Sequence, residues 1–351
     1  MEAAGNLPSL KGLMRPFLLF FFLLIWLHSA GAWDYELHRF VNQIALKTLP
    51  NSFPAFVRTP EAAERIAYLS GEPDRWRNSN EGALKHVNEP DHFFDIEDLE
   101  PLGLRLDELT GFREEFVASI VTARMQKKSL FELNVTSMGP NRNRWLPGLL
   151  PWKLAEEYGR LKSSFSCLRT FEQYGGQTSE IVNAQASVVQ VMGIMGHFAG
   201  DAAQPLHTTR HYNGWVGLNP SGYTTNRSFH AWIDGGFMRK SGLEKEALLR
   251  RVRPARLLWK SANPGDIEPV FSLTLNFVRE QFTQVDVLYA AEKAGDLKGV
   301  GTAAGRNLME AQLLKAGQFL GDLWYSAWIL APKDLFLQSA LARRKLTESD
   351  K

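Results

Sequence analysis

The sequence predicts an all-α protein folded as a single multi-helix domain. Three observations carry this: apolar residues recur at helical spacing through most of the chain, no period-2 run of any length appears, and no internal repeat divides it. The 351 residues are 44% apolar and include ten Trp and 22 Phe, enough for one large core.

Residues 1–32 read as a secretory signal. Lys11 and Arg15 form a positive start, Phe17 to Leu27 an apolar stretch, and Ala30-Gly31-Ala32 a small-x-small cleavage site. The alternative is a membrane anchor, but these 11 apolar residues fall short of the roughly 20 a span needs. The expectation is a secreted or periplasmic protein with no stable membrane span, whose mature chain begins at Trp33. Cys167 is the only cysteine, so no intrachain disulfide forms; beside Phe165, Leu168 and Phe171 it reads as a buried apolar residue. Asn134-Val-Thr136 and Asn226-Arg-Ser228 are glycosylation sequons.

Each element follows from pattern and punctuation. Leu37, Phe40, Val41 and Ile44 mark a helix over 36–47, broken by Pro50 and Pro54. A short helix over 60–70 ends at Gly71. Residues 71–106, rich in Gly, Pro, Asn and Asp, read as loop. An amphipathic helix covers 109–126, and Pro140, Pro147, Gly148 and Pro151 make 134–151 irregular. Helices are expected over 152–174 and 179–203, then an ordered polar loop over 208–229. Further helices fall near 230–240, 243–258, 268–297 and 303–331. The polar residues from Arg343 onward are expected to fray, which bounds the domain at 33–340 with a tail over 341–351. The net charge is +2 with no basic block, so nothing provides an electrostatic footprint for duplex DNA.

The chemistry concentrates in His197-Phe-Ala-Gly-Asp201-Ala-Ala-Gln-Pro-Leu-His207 and His230-Ala-Trp-Ile-Asp234. His197/Asp201 and His230/Asp234 have i, i+4 spacing, which puts each pair on one helix face. An isolated pair of this kind is more often a buried His–Asp hydrogen bond. Two pairs with His207 between them point to a multi-metal site, because imidazole and carboxylate are zinc ligands. Pro205 ends the helix and lets His207 turn back toward the pair. His38, Asp74 and His92 are upstream candidates, and a free amine and carbonyl at Trp33 would chelate a metal after cleavage. His86 and His211 read as surface or hydrogen-bonding histidines.

Trp33…His38, Asp74, His92, His197-x3-Asp201-x5-His207 and His230-x3-Asp234 together resemble the trinuclear zinc signature of the zinc-dependent phospholipase C and S1/P1 nuclease superfamily. Gly200-Asp201 with Gln204-Pro205-Leu206-His207 is the most specific segment. The resemblance implies an all-α fold and three zinc ions. Asp74, His92, His197 and Asp201 would hold one ion. Asp201 would bridge to a second, held also by His38 and Trp33. His207, His230 and Asp234 would hold the third. Asp91 and Asp95 remain alternatives to Asp74.

The implied reaction is hydrolysis of a phosphoric ester by water activated between two zinc ions, with Asp74 as the catalytic residue that orients or deprotonates it. The expected partner is a phospholipid head group or single-stranded nucleic acid, met by a monomer. Asp234 is like the nuclease branch, but Ala203 replaces a histidine of that branch, and its Gly-Gly-Asn element is missing from 208–229. His207-Thr-Thr-Arg-His-Tyr-Asn-Gly is similar instead to phospholipase C-like bacterial members. Tyr212, Trp215 and Tyr223 would stack on bases, line an apolar site, or pack the loop; Trp145 and Trp152 are equally ambiguous. A secreted non-catalytic protein with structural zinc sites is the alternative function.

Overall fold

Helices account for all the regular structure in the computed structural model, which describes residues 34–126, 143, 145–259 and 269–349. Residues 1–32, read above as a signal, and Trp33, the Asn134 sequon and Pro140 lie outside the described residues. In chain order the helices begin with α1 (Tyr35–Thr48), α2 (Pro60–Leu69), α3 (Glu72–Arg77), α4 (Gly82–Asn88) and α5 (Leu99–Leu102). Next come α6 (Arg113–Gln126), α7 (Leu150–Tyr174), α8 (Thr178–Ala203), α9 (Phe229–Ala231), α10 (Phe237–Ser241) and α11 (Lys245–Leu249). The chain closes with α12 (Pro269–Phe282), α13 (Val285–Ala294), α14 (Ala303–Ile329) and α15 (Leu335–Ser349). The only β pairing among the described residues is an isolated bridge between Phe94 and Gly148. No helix among them is long and apolar enough to cross a membrane.

Helix α8 is the axis of the fold, packing against α7, α14, α2, α1 and α12. Its start is fixed by a capping box in which the Gln177 N–H donates to Glu180 Oε2 at 2.8 Å. Its C-terminal half is buried on every side, from Met192 through Ala203. Helix α1 buries Leu37, Phe40, Val41 and Ile44 as the pattern requires, and Asp34 caps it by accepting from the Leu37 N–H at 3.1 Å. Gly196 lets α1 lie close: a Cβ there would stand 1.6 Å from Asn42 Oδ1. Asn42 in turn donates to the Ile66 and Gly193 carbonyls at 2.8 and 3.1 Å, tying α1, α2 and α8 together.

Several boundaries differ from the pattern reading. Residues 71–106 are not simple loop: α3, α4, α5 and intervening 3-10 turns occupy them. Their Gly and Pro content limits these helices to a turn or two, and α5 ends on Gly103 at φ 72°. The expected helix over 243–258 is helical only in α11, because Pro254 cannot continue it. The extended residues after it spend their donors on the Thr48 carbonyl, Asp322 and Ser326. The 268–297 segment divides into α12 and α13. The tail from Arg343 is helical through Ser349 rather than frayed, with Leu341 buried and Arg344 paired to Glu180 at 3.1 Å. Cys167 is half-buried.

Candidate metal centre

Eight of the nine proposed ligand positions lie among the described residues, and the fold gathers all eight. His38 comes from α1, Asp74 from α3, and His92 from the 3-10 turn after α4. His197 and Asp201 lie on α8, and His207 on the 3-10 turn that Pro205 starts. His230 belongs to α9. Asp234 sits in a π-helical turn, Trp232–Gly236, where a plain α-helix was expected. All eight are buried except Asp74, whose side chain is 20% exposed.

They form three groups whose ligand atoms lie within 4.8 Å of one another: His38, Asp74 and His197; His92, His197 and Asp201; and His207, His230 and Asp234. Each of these groups could hold a metal ion. Asp201 also reaches beyond its own group, with Oδ1 3.4 Å from His38 Nε2 and 3.8 Å from His207 Nδ1. Its Oδ2 stands 3.3 Å from His197 Nε2. Asp74 Oδ1 lies 3.9 Å from His92 Nε2 and 4.0 Å from His197 Nε2. Neither alternative to it belongs to a group: Asp91 pairs with Arg113 at 3.0 Å, and Asp95, raised by burial and by Asp98 and Glu97, gathers with none of the ligands.

The donor chemistry fits metal ions. His92 Nδ1 bonds the Asn88 carbonyl at 2.7 Å, His197 Nδ1 the Ser70 carbonyl at 2.8 Å, and His207 Nδ1 the His92 carbonyl at 2.5 Å. Each bond fixes the ring and leaves Nε2 as the donor atom, the usual arrangement around a metal-ligating histidine. Yet His92 Nε2, His197 Nε2, both nitrogens of His38, both oxygens of Asp201, His230 Nδ1 and Asp234 Oδ2 are buried without a hydrogen-bond partner. The close His–Asp approaches lack hydrogen-bond alignment, so the bland buried-pair reading does not account for them. In the third group His207 Nε2 and His230 Nε2 stand 3.0 Å apart. Two nitrogens on one tetrahedral zinc, each at about 2.0–2.1 Å, would stand about 3.3 Å apart.

Local backbone holds these positions. Phe94 N–H donates to the His207 carbonyl at 2.8 Å and Ile96 N–H to the Thr208 carbonyl at 3.1 Å, strapping the His92 segment against the His207 turn. Gly148, at φ 101°, admits the Phe93 carbonyl that any Cβ would meet at 2.0 Å. Gln204 Nε2 donates to Asp234 Oδ1 at 2.7 Å. The Asp34 N–H donates to the Asp234 carbonyl at 2.9 Å, which brings the start of the described chain to the third group.

Charge follows from burial and neighbours. Burial, with His197 alongside, holds His38 down to about 4. Burial and Arg77 push His92 well below the usual imidazole range, and burial with His207 does the same to His230. Burial opposes ionisation of Asp201, but the imidazoles of His197 and His207 outweigh it and keep its carboxyl well below the usual range. Burial likewise opposes ionisation of Asp74, and Arg77, 2.9 Å away, outweighs it. Burial raises Asp234. Burial opposes charging His197, but the Asp201 carboxylate outweighs it and raises that imidazole; neutral His38, His92 and His230 and an ionised Asp201 are the protonation states that bind metal.

Arg77 and Gln204 are the site residues that sequence pattern missed. Arg77 lies three residues after Asp74 on α3, a spacing that carries meaning only once 71–77 is known to be helical. His211, read as an ordinary histidine, accepts the Val216 N–H on Nδ1 and stacks on Trp215; His86 is exposed. No protein-family model matches this chain, and a search of curated proteins finds no match to it.

Proposed function

We propose that the chain is a secreted zinc-dependent hydrolase of phosphoric esters, of the phospholipase C and S1/P1 nuclease type, with that superfamily's fold. The observation that carries this reading is the convergence of eight candidate ligand side chains, seven of them buried, into three groups of which two share His197, with orphaned donor atoms on His38, His92, His197, Asp201 and Asp234. Three zinc ions, with Trp33 completing the second site, account for the donor set. When bound, the ions supply activation of water for attack at phosphorus and neutralisation of phosphoryl charge.

The chain's own residues do the rest. Asp74, kept ionised by Arg77 and partly exposed, is the ligand-set carboxylate able to accept a hydrogen bond from an incoming water and orient it. Arg77 brings a guanidinium to the same place, where it complements an anionic ester. Gln204 fixes the Asp234 carboxylate, and the Asn88, Ser70 and His92 carbonyls fix three imidazoles. The third group offers three protein ligands, which leaves a coordination position for substrate, whereas structural zinc sites are closed. The substrate is a phospholipid head group or single-stranded nucleic acid, and the protein acts as a monomer.

Complete burial of His38, His92, His197 and Asp201 favours a second reading, in which the zinc ions are structural and replace the disulfides the chain lacks. One panel on the mature protein separates the two. It measures zinc content, then hydrolysis of single-stranded nucleic acid, phosphatidylcholine and an aryl phosphodiester. The hydrolase reading expects turnover of at least one, lost on chelation; zinc-replete protein inert toward all three would leave the structural reading.

A further inference from the structure

Asp34, the first described residue, is gripped from the side of the third metal group. Its N–H donates to the Asp234 carbonyl at 2.9 Å, and its Oδ1 accepts the Leu37 N–H at 3.1 Å, capping α1. The cap uses one oxygen only. Arg239, on α10, donates through Nη1 to the other, Oδ2, across 205 residues of sequence.

The backbone is shaped for this pair. Gly235 lies in the π-helical turn Trp232–Gly236, next to Asp234. A glycine inside a helix is destabilising by about 0.5–1 kcal/mol relative to alanine. Here a Cβ would stand 2.6 Å from Arg239 Nη1 and closer still to Asp34 Oδ2. The bare backbone at Gly235 is what admits the ion pair. The Asp234 carbonyl, Gly235 and Arg239 thus converge on one residue of the N-terminal segment.

Stability does not account for the arrangement. Arg239 is 65% exposed, and ion pairs at such sites contribute little. Position does account for it. Asp34 follows Trp33, the residue assigned above as an amine and carbonyl ligand, and stands one helical turn before His38. The peptide unit that carries the Trp33 carbonyl is the one whose N–H donates to Asp234. Such a unit is planar, so fixing its N–H fixes the direction of its carbonyl.

We propose that Arg239 and Gly235 form a latch for the mature N-terminus, holding Asp34 so that Trp33 presents its amine and carbonyl to the second zinc. Arg239 is a positioning residue: it touches Asp34 and acts on the metal through it. This rests on the three-zinc reading of the site. It also couples the second zinc to the third group, because one turn carries both the latch and Asp234.

The test measures zinc content by elemental analysis and zinc affinity by chelator competition. It uses protein beginning at Trp33 and protein with one extra residue ahead of it. Extension removes the free amine and is expected to lose one ion. In protein beginning at Trp33, Arg239→Met is expected to weaken that same ion about 10-fold, the scale of a lost outer partner. Asp34→Asn keeps the cap and Gly235→Ala touches no charge, yet both are expected to weaken it similarly. In the extended protein Arg239→Met is expected to change nothing, since the ligand it positions is already gone. Glu36→Gln, which breaks the neighbouring 3.8 Å pair with Lys245, is the control and leaves affinity unchanged. Unchanged affinity in the Arg239→Met variant, an equal loss in the extended protein, or an equal loss in the Glu36→Gln control overturns the proposal. An extended protein that keeps every zinc sinks the Trp33 assignment and the latch with it. Latch variants that behave as expected in a protein that hydrolyses no ester support the latch and sink the hydrolase reading alone.

Discussion

Chelation of ions held as proposed is expected to destabilise the whole fold, because most of the candidate ligand side chains carry atoms with no other partner. Leaving aside Asp74 Oδ1, which meets Arg77, six atoms that ions could engage are buried and unpartnered: one nitrogen on each of His38, His92 and His197, both oxygens of Asp201 and Oδ2 of Asp234. A buried polar group without a partner costs about 1–3 kcal/mol. At the low end, removing the metals uncovers a cost of about 6 kcal/mol, within the range of the whole stability of an ordinary domain. Unfolding entropy of about 2.1 cal/mol/K per residue converts this to a fall in Tm of about 8 °C for a chain of this size. The assay is thermal unfolding followed by circular dichroism, on zinc-loaded protein, on chelator-treated protein, and after zinc is restored. A Tm unchanged to within about 2 °C, with metal analysis proving the chelated sample empty, would refute the argument that these atoms await ions.

Three further outcomes follow from particular residues. Gly196→Ala places a Cβ 1.6 Å from Asn42 Oδ1 and is expected to cost about 3 kcal/mol in urea unfolding; a cost near zero would mean α1 can move away freely. Gln204→Leu removes the donor to Asp234 and is expected to weaken the most weakly bound zinc about 10–100-fold in chelator competition; unchanged affinity would leave Gln204 without an orienting role. His38 is held to about 4, against 6.5 for a free imidazole, so the unfolded state takes its proton first as pH falls. Its share of stability is therefore fully present above pH 6.5 and is lost between there and pH 4, by about 3 kcal/mol. Chelated wild type should thus lose stability faster than chelated His38→Gln protein across that window, and parallel urea curves would contradict the burial assigned to His38.

The long helices were legible from their apolar residues: the stripe of Leu37, Phe40, Val41 and Ile44 announces α1, and the continuous apolar run before His197 announces the half of α8 that is buried on every side. The ligand pairs were legible as well, since i, i+4 spacing on a helix needs no tertiary information. The second pair survives even in a π-helical turn, where His230 Nε2 and Asp234 Oδ2 still meet at 3.0 Å. What stayed hidden depends on contacts distant in sequence. Nothing local indicates that Gln204 will reach Asp234, or that the Ser70 carbonyl will fix His197. Residues 71–106 looked like loop because Gly and Pro keep each helix there to a turn or two, so the Asp74–Arg77 relation on α3 went unseen. The non-helical course of 252–258 was hidden too, since the N–H groups of Ala255, Arg256 and Leu258 are satisfied by Thr48, Asp322 and Ser326 from other helices.

The central claim is that the gathered ligands hold zinc for chemistry. Its most direct test is a zinc titration of the chelated mature protein, with turnover of an aryl phosphodiester read at each step. The account predicts three bound equivalents and turnover that returns as the last of them fills the His207, His230 and Asp234 group. Full restoration of zinc content and Tm with no turnover of any phosphoester would contradict it.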